Sequence, residues 1–179
     1  AKGNHQAKVF PVHRLDRETS GVMMFAKSNS LQHKIRDNWQ ELVEARKYIA
    51  VVEGYVEKEQ DTIVSWLKED NDNKMYSTND TMRGKKAITH YKVLKRTLSY
   101  SLLEVTLETG RKNQIRVHMH DVGHCVIGDS WYGAQINPIR RLGLHAHLLS
   151  FKHPVTGKVL RFNSPPPNSF LSLFDRKKS

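Results

Sequence analysis

Three polar side chains stand where the sequence otherwise places apolar ones. They are Asp16 in "VHRLDRETSG" (12–21), Tyr48 in "KYIAVVEG" (47–54) and Arg116 in "NQIRVHMHDVG" (113–123). Asp16 follows Leu15 and leads into an apolar stretch. Tyr48 shares a strand face with Ala50 and Val52, and Arg116 flanks a helical stripe of Ile115, Met119 and Val122. A guanidinium this close to a buried face needs an anion, because an unpaired buried charge is costly. Asp16 is the carboxylate best placed in the sequence to supply it. An aspartate paired in this way stays ionised and can act as a nucleophile. The same residues also describe a structural Asp–Arg bridge beside a core tyrosine, and the pattern alone leaves both readings open.

The elements that hold these groups follow from periodicity. Residues 1–11 read as an irregular lead-in, and "GVMMFAK" (21–27), apolar on both faces, predicts an interior strand. Leu31, Ile35, Trp39 and Leu42 predict an amphipathic helix from Ser28 to about Ala45. A strand buried on both faces follows at 47–54, ended by Gly54. Residues 57–86 are polar and turn-rich around one short apolar strand, Ile63–Leu67, and read as an excursion from the core, either a hairpin or a flexible arm. "KAITHYKVLKR" (86–96) and "LLEVTLE" (102–108) predict paired strands, with Leu103, Val105 and Leu107 on one face. Residues 109–123 switch to helical spacing, with Gly123 as the C-terminal cap. "CVIGD" (125–129) reads as a short strand, and 144–162 as a hairpin turning at "HPVTGK" (153–158). "SPPPNSF" (164–170) is extended and leads into a short helix. Strands and helices mix without repeats or regular βαβ spacing, so the fold class is α+β, in a single domain over 1–179.

Lys and Arg outnumber Asp and Glu by 29 to 18, a net charge of +11, which favours a polyanionic partner. The cations recur in clusters: "RGKK" (83–86), "RK" (111–112), "PIRR" (138–141) and "RKK" (176–178). No apolar run approaches the ~20 residues of a membrane span. There is no signal-peptide pattern, and the single cysteine, Cys125, cannot make an internal disulfide; both fit the cytoplasm. No P-loop or Gly-rich dinucleotide turn calls for a cofactor. A metal site is not expected either. On a helix His118 and His120 point about 200° apart, and His145 and His147, though they share a strand face, lack a third ligand at metal spacing. Thr19 and Ser20 are expected to hold their loop through side-chain-to-backbone hydrogen bonds.

"HRLDRETSG" (13–21) with "AK" (26–27), "RKYIAVVEG" (46–54), "GRKNQIRVHMHDVGHCVIGDSWYG" (110–133) and "LHAHLLSFKHPVTG" (144–157) occur in this order. Together they closely resemble the RluA family of pseudouridine synthases. "GKKAITHYKVL" (84–94) resembles it too, and the likeness spans roughly 9–167. The resemblance implies a long, bent, mostly antiparallel sheet with flanking helices and a cleft across its middle. It also implies an enzyme that isomerises uridine to pseudouridine in structured RNA: ribosomal RNA of the large subunit first, transfer RNA second. No cofactor or metal is implied, and a monomer is expected. The catalytic aspartate falls on Asp16, the tyrosine beneath the base on Tyr48, and the aspartate's arginine partner on Arg116. Arg14 falls on a residue that enters the RNA stack as the target base leaves it. Extruding a base costs a few kcal/mol, and a guanidinium plane can fill the gap. His13, Arg17, Gln114 and Leu144 join as substrate- or RNA-contacting candidates, Leu144 near the base and Arg17 toward backbone phosphate or solvent.

Two departures stand out. Asn113 occupies a position where many members have His, and no "KPxG"-like segment precedes the aspartate motif. With Ala1 in place of an initiator Met, this predicts that the chain is part of a longer protein. Two other classes remain: a catalytically idle RNA-binding module, and a nucleoside or glycoside hydrolase. The latter needs a second acid, for which Asp121 and Asp129 are the weak candidates.

Overall fold

The computed structural model describes residues 8–175; the "RKK" cluster and most of the lead-in lie outside them. In chain order the elements are β1 (Phe10–Pro11), β2 (Ser20–Gly21), β3 (Phe25–Ala26), α1 (Asn29–Asp37), α2 (Trp39–Leu42), β4 (Val43–Glu53), β5 (Gln60–Glu69), β6 (Met75–Thr78), β7 (Lys85–Arg96), β8 (Tyr100–Leu107), α3 (Gln114–Asp121), β9 (Leu144–Lys152), β10 (Val159–Asn163) and α4 (Asn168–Leu171). The eight-stranded sheet runs β10-β9-β4-β8-β7-β5-β6, with β2 attached to β9. Every pair along that path is antiparallel, and the β2–β9 pair is parallel. The fold is α+β, as expected. Among the described residues no helix is long and apolar enough to cross a membrane.

The two faces of β4 are buried by different partners, which explains its continuous apolar run. Ala50 and Val52, with Leu103 and Val105 of β8, pack under Ile115 and Met119 of α3. Ile49, Val51 and Leu102 face the other way, against Ile127 and Phe170. α3 is also held by polar contacts. The Gln114 amide bonds Thr109, Thr89 and the Ile88 carbonyl, and the His118 ring lies between Thr89 Oγ1 (2.8 Å) and Ser65 Oγ (2.9 Å). Burial pulls the His118 pKa down to about 4, so the ring is neutral in these bonds. Val122, expected in the buried stripe, is instead exposed at the helix end, and Val117 and His118 are buried.

Several expected elements come out differently. Residues 57–86 do contain the expected strand and a hairpin, β5 with β6, but these strands extend the main sheet rather than leaving the core. Their outer face meets water, so an apolar residue is needed only at alternate positions, and the stretch reads as polar. Residues 21–27 are not an interior strand. They hold the end of β2 and the short β3, which pairs with β1, and Met23 and Phe25 are exposed. The helix expected over 28–45 breaks at Asn38 and gives way to strand at Val43, although Leu31, Ile35, Trp39 and Leu42 do form one cluster. "CVIGD" makes only an isolated bridge between Val126 and Val52. The 144–162 hairpin is found with its turn in "HPVTGK", closed by His153 N–H to Lys158 O.

β9 has two uses on one edge. Its C-terminal half pairs with β10, and its first residues pair with β2, through Ser20↔His145 and Gly21↔Ala146. Gly21 has φ +119°, and a Cβ there would lie 2.1 Å from the Ala146 carbonyl oxygen. Only glycine allows this approach. Gly21→Ala is therefore expected to lower stability well beyond Gly157→Ala, whose left-handed glycine faces open space and whose replacement carries only about 1–2 kcal/mol of backbone strain. Urea unfolding measures both; equal losses would mean that the loop before β2 is not fixed by this contact.

Candidate active site

Ala146 joins the two ends of the site. On one side it pairs with Gly21, five residues after Asp16; on the other it pairs with Tyr48 of β4. The β4–β9 register shifts between Lys47 and Tyr48, a bulge that re-aims the side chains on either side of it. The Asp16 loop closes with the Thr19 N–H donating to the Asp16 carbonyl (2.9 Å), and Val22 N–H donates to Ala146 O. Ser20 Oγ lies 2.8 Å from both His145 Nδ1 and Arg141 Nη2. These are side-chain contacts rather than the expected bonds to backbone. Thr19 Oγ1 is buried with no partner among the described residues.

Arg116 carries the main correction to the sequence reading. Its chief partner is Asp129, not Asp16: Nε and Nη2 donate to the two carboxylate oxygens at 2.7 and 2.8 Å. Asp129 is almost completely buried and also caps the turn at Ser130–Tyr132. Asp16 receives what remains, with Arg116 Nη1 at 3.5 Å from Oδ2. Asn113, in the left-handed region at φ 54°, stands beside Asp16. With its nitrogen turned to the carboxylate, the amide donates to Oδ1 at 3.0 Å and Oδ2 at 3.2 Å, and its oxygen accepts from Tyr132 Oη. Asn can supply these donors in place of the ring N–H of a His.

Burial raises the Asp16 pKa above its ordinary value, against the charges of Arg116 and Arg14, which pull it down. Burial also works to lower Arg116, but the bonds and charge of Asp129, with that of Asp16, hold it above the usual value. Burial keeps the Tyr48 phenol up, so it is a neutral hydroxyl at physiological pH. Asp16 is thus a desolvated carboxylate with modest support, beside a proton-bearing phenol.

Arg14, Asp16, Tyr48, Gln114 and Leu144 all line one open cleft. Within it, Gln114 has its amide fully engaged by protein groups. His13 is turned inward: its Nε2 accepts from Met24 N–H and its ring lies against Trp39. Arg17 lies outside the cleft, in a shallow depression with Arg140 and Arg141. His145 Nε2 and His147 Nδ1 both approach the Ser164 carbonyl. The sequence reading missed Arg46 and named Asp129 only as a weak second acid, not as the partner of Arg116. In "GDSWYG", an Asp just ahead of a short turn ended by Gly133 suits an N-cap, and the Tyr132 N–H donates to its carboxylate.

Removing one partner of a buried ion pair costs about 3–5 kcal/mol, so Asp129→Asn is expected to destabilise the fold strongly. Asp16→Asn should behave oppositely. A carboxyl whose folded pKa lies above its unfolded value adds stability below the unfolded pKa and loses it as pH rises through the folded one. Removing Asp16 removes that loss, so the variant should unfold at the same or a higher temperature at neutral pH. Calorimetry of both variants checks this order; a large loss from Asp16→Asn would make Asp16 the structural partner after all.

Residues 1–121 match the sequence profile of a family described as RNA pseudouridylate synthase. A Neisseria meningitidis serogroup B protein named ribosomal large subunit pseudouridine synthase D is 39% identical over 174 residues, covering 90% of this chain and 46% of that one. A Bacillus subtilis protein named uncharacterized RNA pseudouridine synthase YlyB is 37% identical over 165 residues, 92% of this chain and 54% of the other. The chain thus spans about half the length of these relatives. Human RNA pseudouridylate synthase domain containing 4 superposes with a TM-score of 0.77 at 25% identity, covering 94% of this chain and 76% of the human one. The profile match over more than half of the chain, on the blocks that carry Asp16, Tyr48 and Arg116, places this chain in the RNA pseudouridylate synthase family.

Proposed function

We propose that the protein isomerises a uridine within structured RNA to pseudouridine, and that large-subunit ribosomal RNA supplies the substrate. The observation that carries this reading is the setting of Asp16: a desolvated carboxylate in a cleft, 3.5 Å from an arginine already neutralised by Asp129. A carboxylate tied into a tight structural bridge would be a poor reactant. In the reaction the N1–C1′ bond breaks, the uracil turns, and a C5–C1′ bond forms. The proton leaves C5 and N1 regains one, so no electron or group is exchanged with a cofactor. Asp16 is the group that reacts with the extruded nucleotide. The neutral Tyr48 and the apolar side chains of Leu144 and Ile115 form the surface on which the base can lie. Arg14, exposed at the rim, is placed to occupy the vacated stack.

Three features weigh against the other classes. Asp129 is bound to Arg116, Asp121 is exposed beside Ser77, and neither lines the cleft where the second acid of a hydrolase would stand. An idle binding module has no use for a desolvated Asp16. The ribosomal choice rests on the Neisseria relative, whose name specifies the large ribosomal subunit.

The test is tritium release from RNA labelled at uridine C5, using ribosomal and transfer RNA fractions from cells lacking the protein. The wild type should release tritium from ribosomal RNA, and Asp16→Asn should reduce release to background while retaining RNA binding. Release only from transfer RNA would overturn the substrate, and full activity of the variant would remove Asp16 from the mechanism. Tyr48→Phe should bind RNA but turn over about 10²-fold or more slowly, the scale expected where the hydroxyl moves a proton. Wild-type rates would reduce Tyr48 to a stacking surface.

A further inference from the structure

Four cations line the catalytic cleft: Arg14, Arg46, Arg111 and Lys112. Arg111 Nε donates to the Lys86 carbonyl at 3.0 Å. Lys112 pairs with Glu69 and donates to the Asn73 carbonyl at 2.7 Å. Arg14 is exposed. Arg46 differs from all three: it is partly buried on β4, two residues before Tyr48, and makes no hydrogen bond or ion pair among the described residues. Its guanidinium carbon lies 5.6 Å from the Trp39 ring centroid. Its Nη1 and Nη2 lie so close to residue 110 that a Cβ there would meet them at 2.5 and 2.9 Å.

The nearby acids do not serve it. Glu44 and Glu108 share a neighbouring depression with Arg46, but Glu44 accepts from Ser150 Oγ and Glu108 pairs with His90. Burial lowers the Arg46 pKa, with the Tyr48 phenol working the other way. Trp39 and the bare backbone at Gly110 therefore fix the orientation of a partly desolvated cation that has no anion among the described residues. Such an arrangement is unfavourable by itself and becomes favourable when an anion arrives.

We propose that Arg46 binds a backbone phosphate of the substrate RNA, the one carried by the nucleotide that enters the cleft. This rests on the RNA reading above. With the base against Tyr48 and Leu144 and the reacting atoms at Asp16, the phosphate is the anion left at the wall beside Gly110. A planar guanidinium held in one orientation matches phosphate oxygens in pairs and loses little freedom on binding. Gly110 belongs to the same device, since any side chain there displaces the fork.

The experiment measures binding of a short fluorescent oligouridylate by Asp16→Asn protein, with and without Arg46→Gln, across a range of salt. Loss of one phosphate contact should weaken binding several-fold at low salt and reduce the slope of log K against log salt by about 0.7. Arg46→Lys should restore the slope, because the charge returns. Gly110→Ala should weaken binding although Arg46 is present. An unchanged slope for Arg46→Gln overturns the proposal, and so does weaker binding at constant slope with a lowered unfolding temperature, which would mark Arg46 as a structural brace. Absence of tritium release by the wild type, with these salt slopes intact, would count against the isomerase reading and leave the phosphate contact standing.

Discussion

The structure of this site depends on the pairing of Arg116 with Asp129. Two parallel hydrogen bonds in a buried setting satisfy the arginine, so its charge does not need Asp16. That frees Asp16 to lie at longer range, supported by one remaining guanidinium nitrogen and by the Asn113 amide. Had Asp16 been the sole counter-ion, the carboxylate would be stabilised in the ground state and its pKa depressed. Burial instead pushes it up. The pair is in turn held by its neighbours: Gln114 and His118 pin α3 to β5 and β7, and Asp129 caps the following turn.

The sheet supplies the second constraint. Asp16 and Tyr48 are thirty-two residues apart in sequence, yet each is placed relative to Ala146: one through the Gly21 crossing, the other through the bulged β4–β9 ladder. Side chains on two different strand systems therefore share one reference point. Around them the charged side chains lining the cleft are cationic except for Asp16, which suits the RNA substrate proposed above.

Much of this was legible in the sequence. Tyr48 stands out because it interrupts an apolar face, and that face is found packed under α3. Asp16 and Arg116 were joined by the cost of burying a lone charge, and they do meet. Their true relation was hidden because Asp129 lies in an irregular segment with no periodicity, read as a strand. β5 was read only in part, as Ile63–Leu67, and β6 was missed for a different reason: a sheet edge with one wet face has only half the apolar residues of a buried strand. The stretch 21–27 misled in the opposite direction: its apolar side chains line a groove with Leu31, Ile35, Leu149 and Phe151, and only two-residue ladders form at its ends. Arg46 opens the "RKYIAVVEG" block, but nothing in the sequence sets it apart from the other cations. Its significance depends on Gly110 and Trp39, which only the fold brings to it.

The most direct measurement is the ionisation of Asp16 itself, followed by carboxyl-carbon NMR in aspartate-labelled protein and assigned by loss of the signal in Asp16→Asn. If Arg116 belongs to Asp129, Asp16 should titrate above the ordinary aspartate value of about 3.9. A midpoint below that value would mean that Arg116 grips Asp16 as a structural counter-ion, and would contradict this account of how the carboxylate is kept reactive.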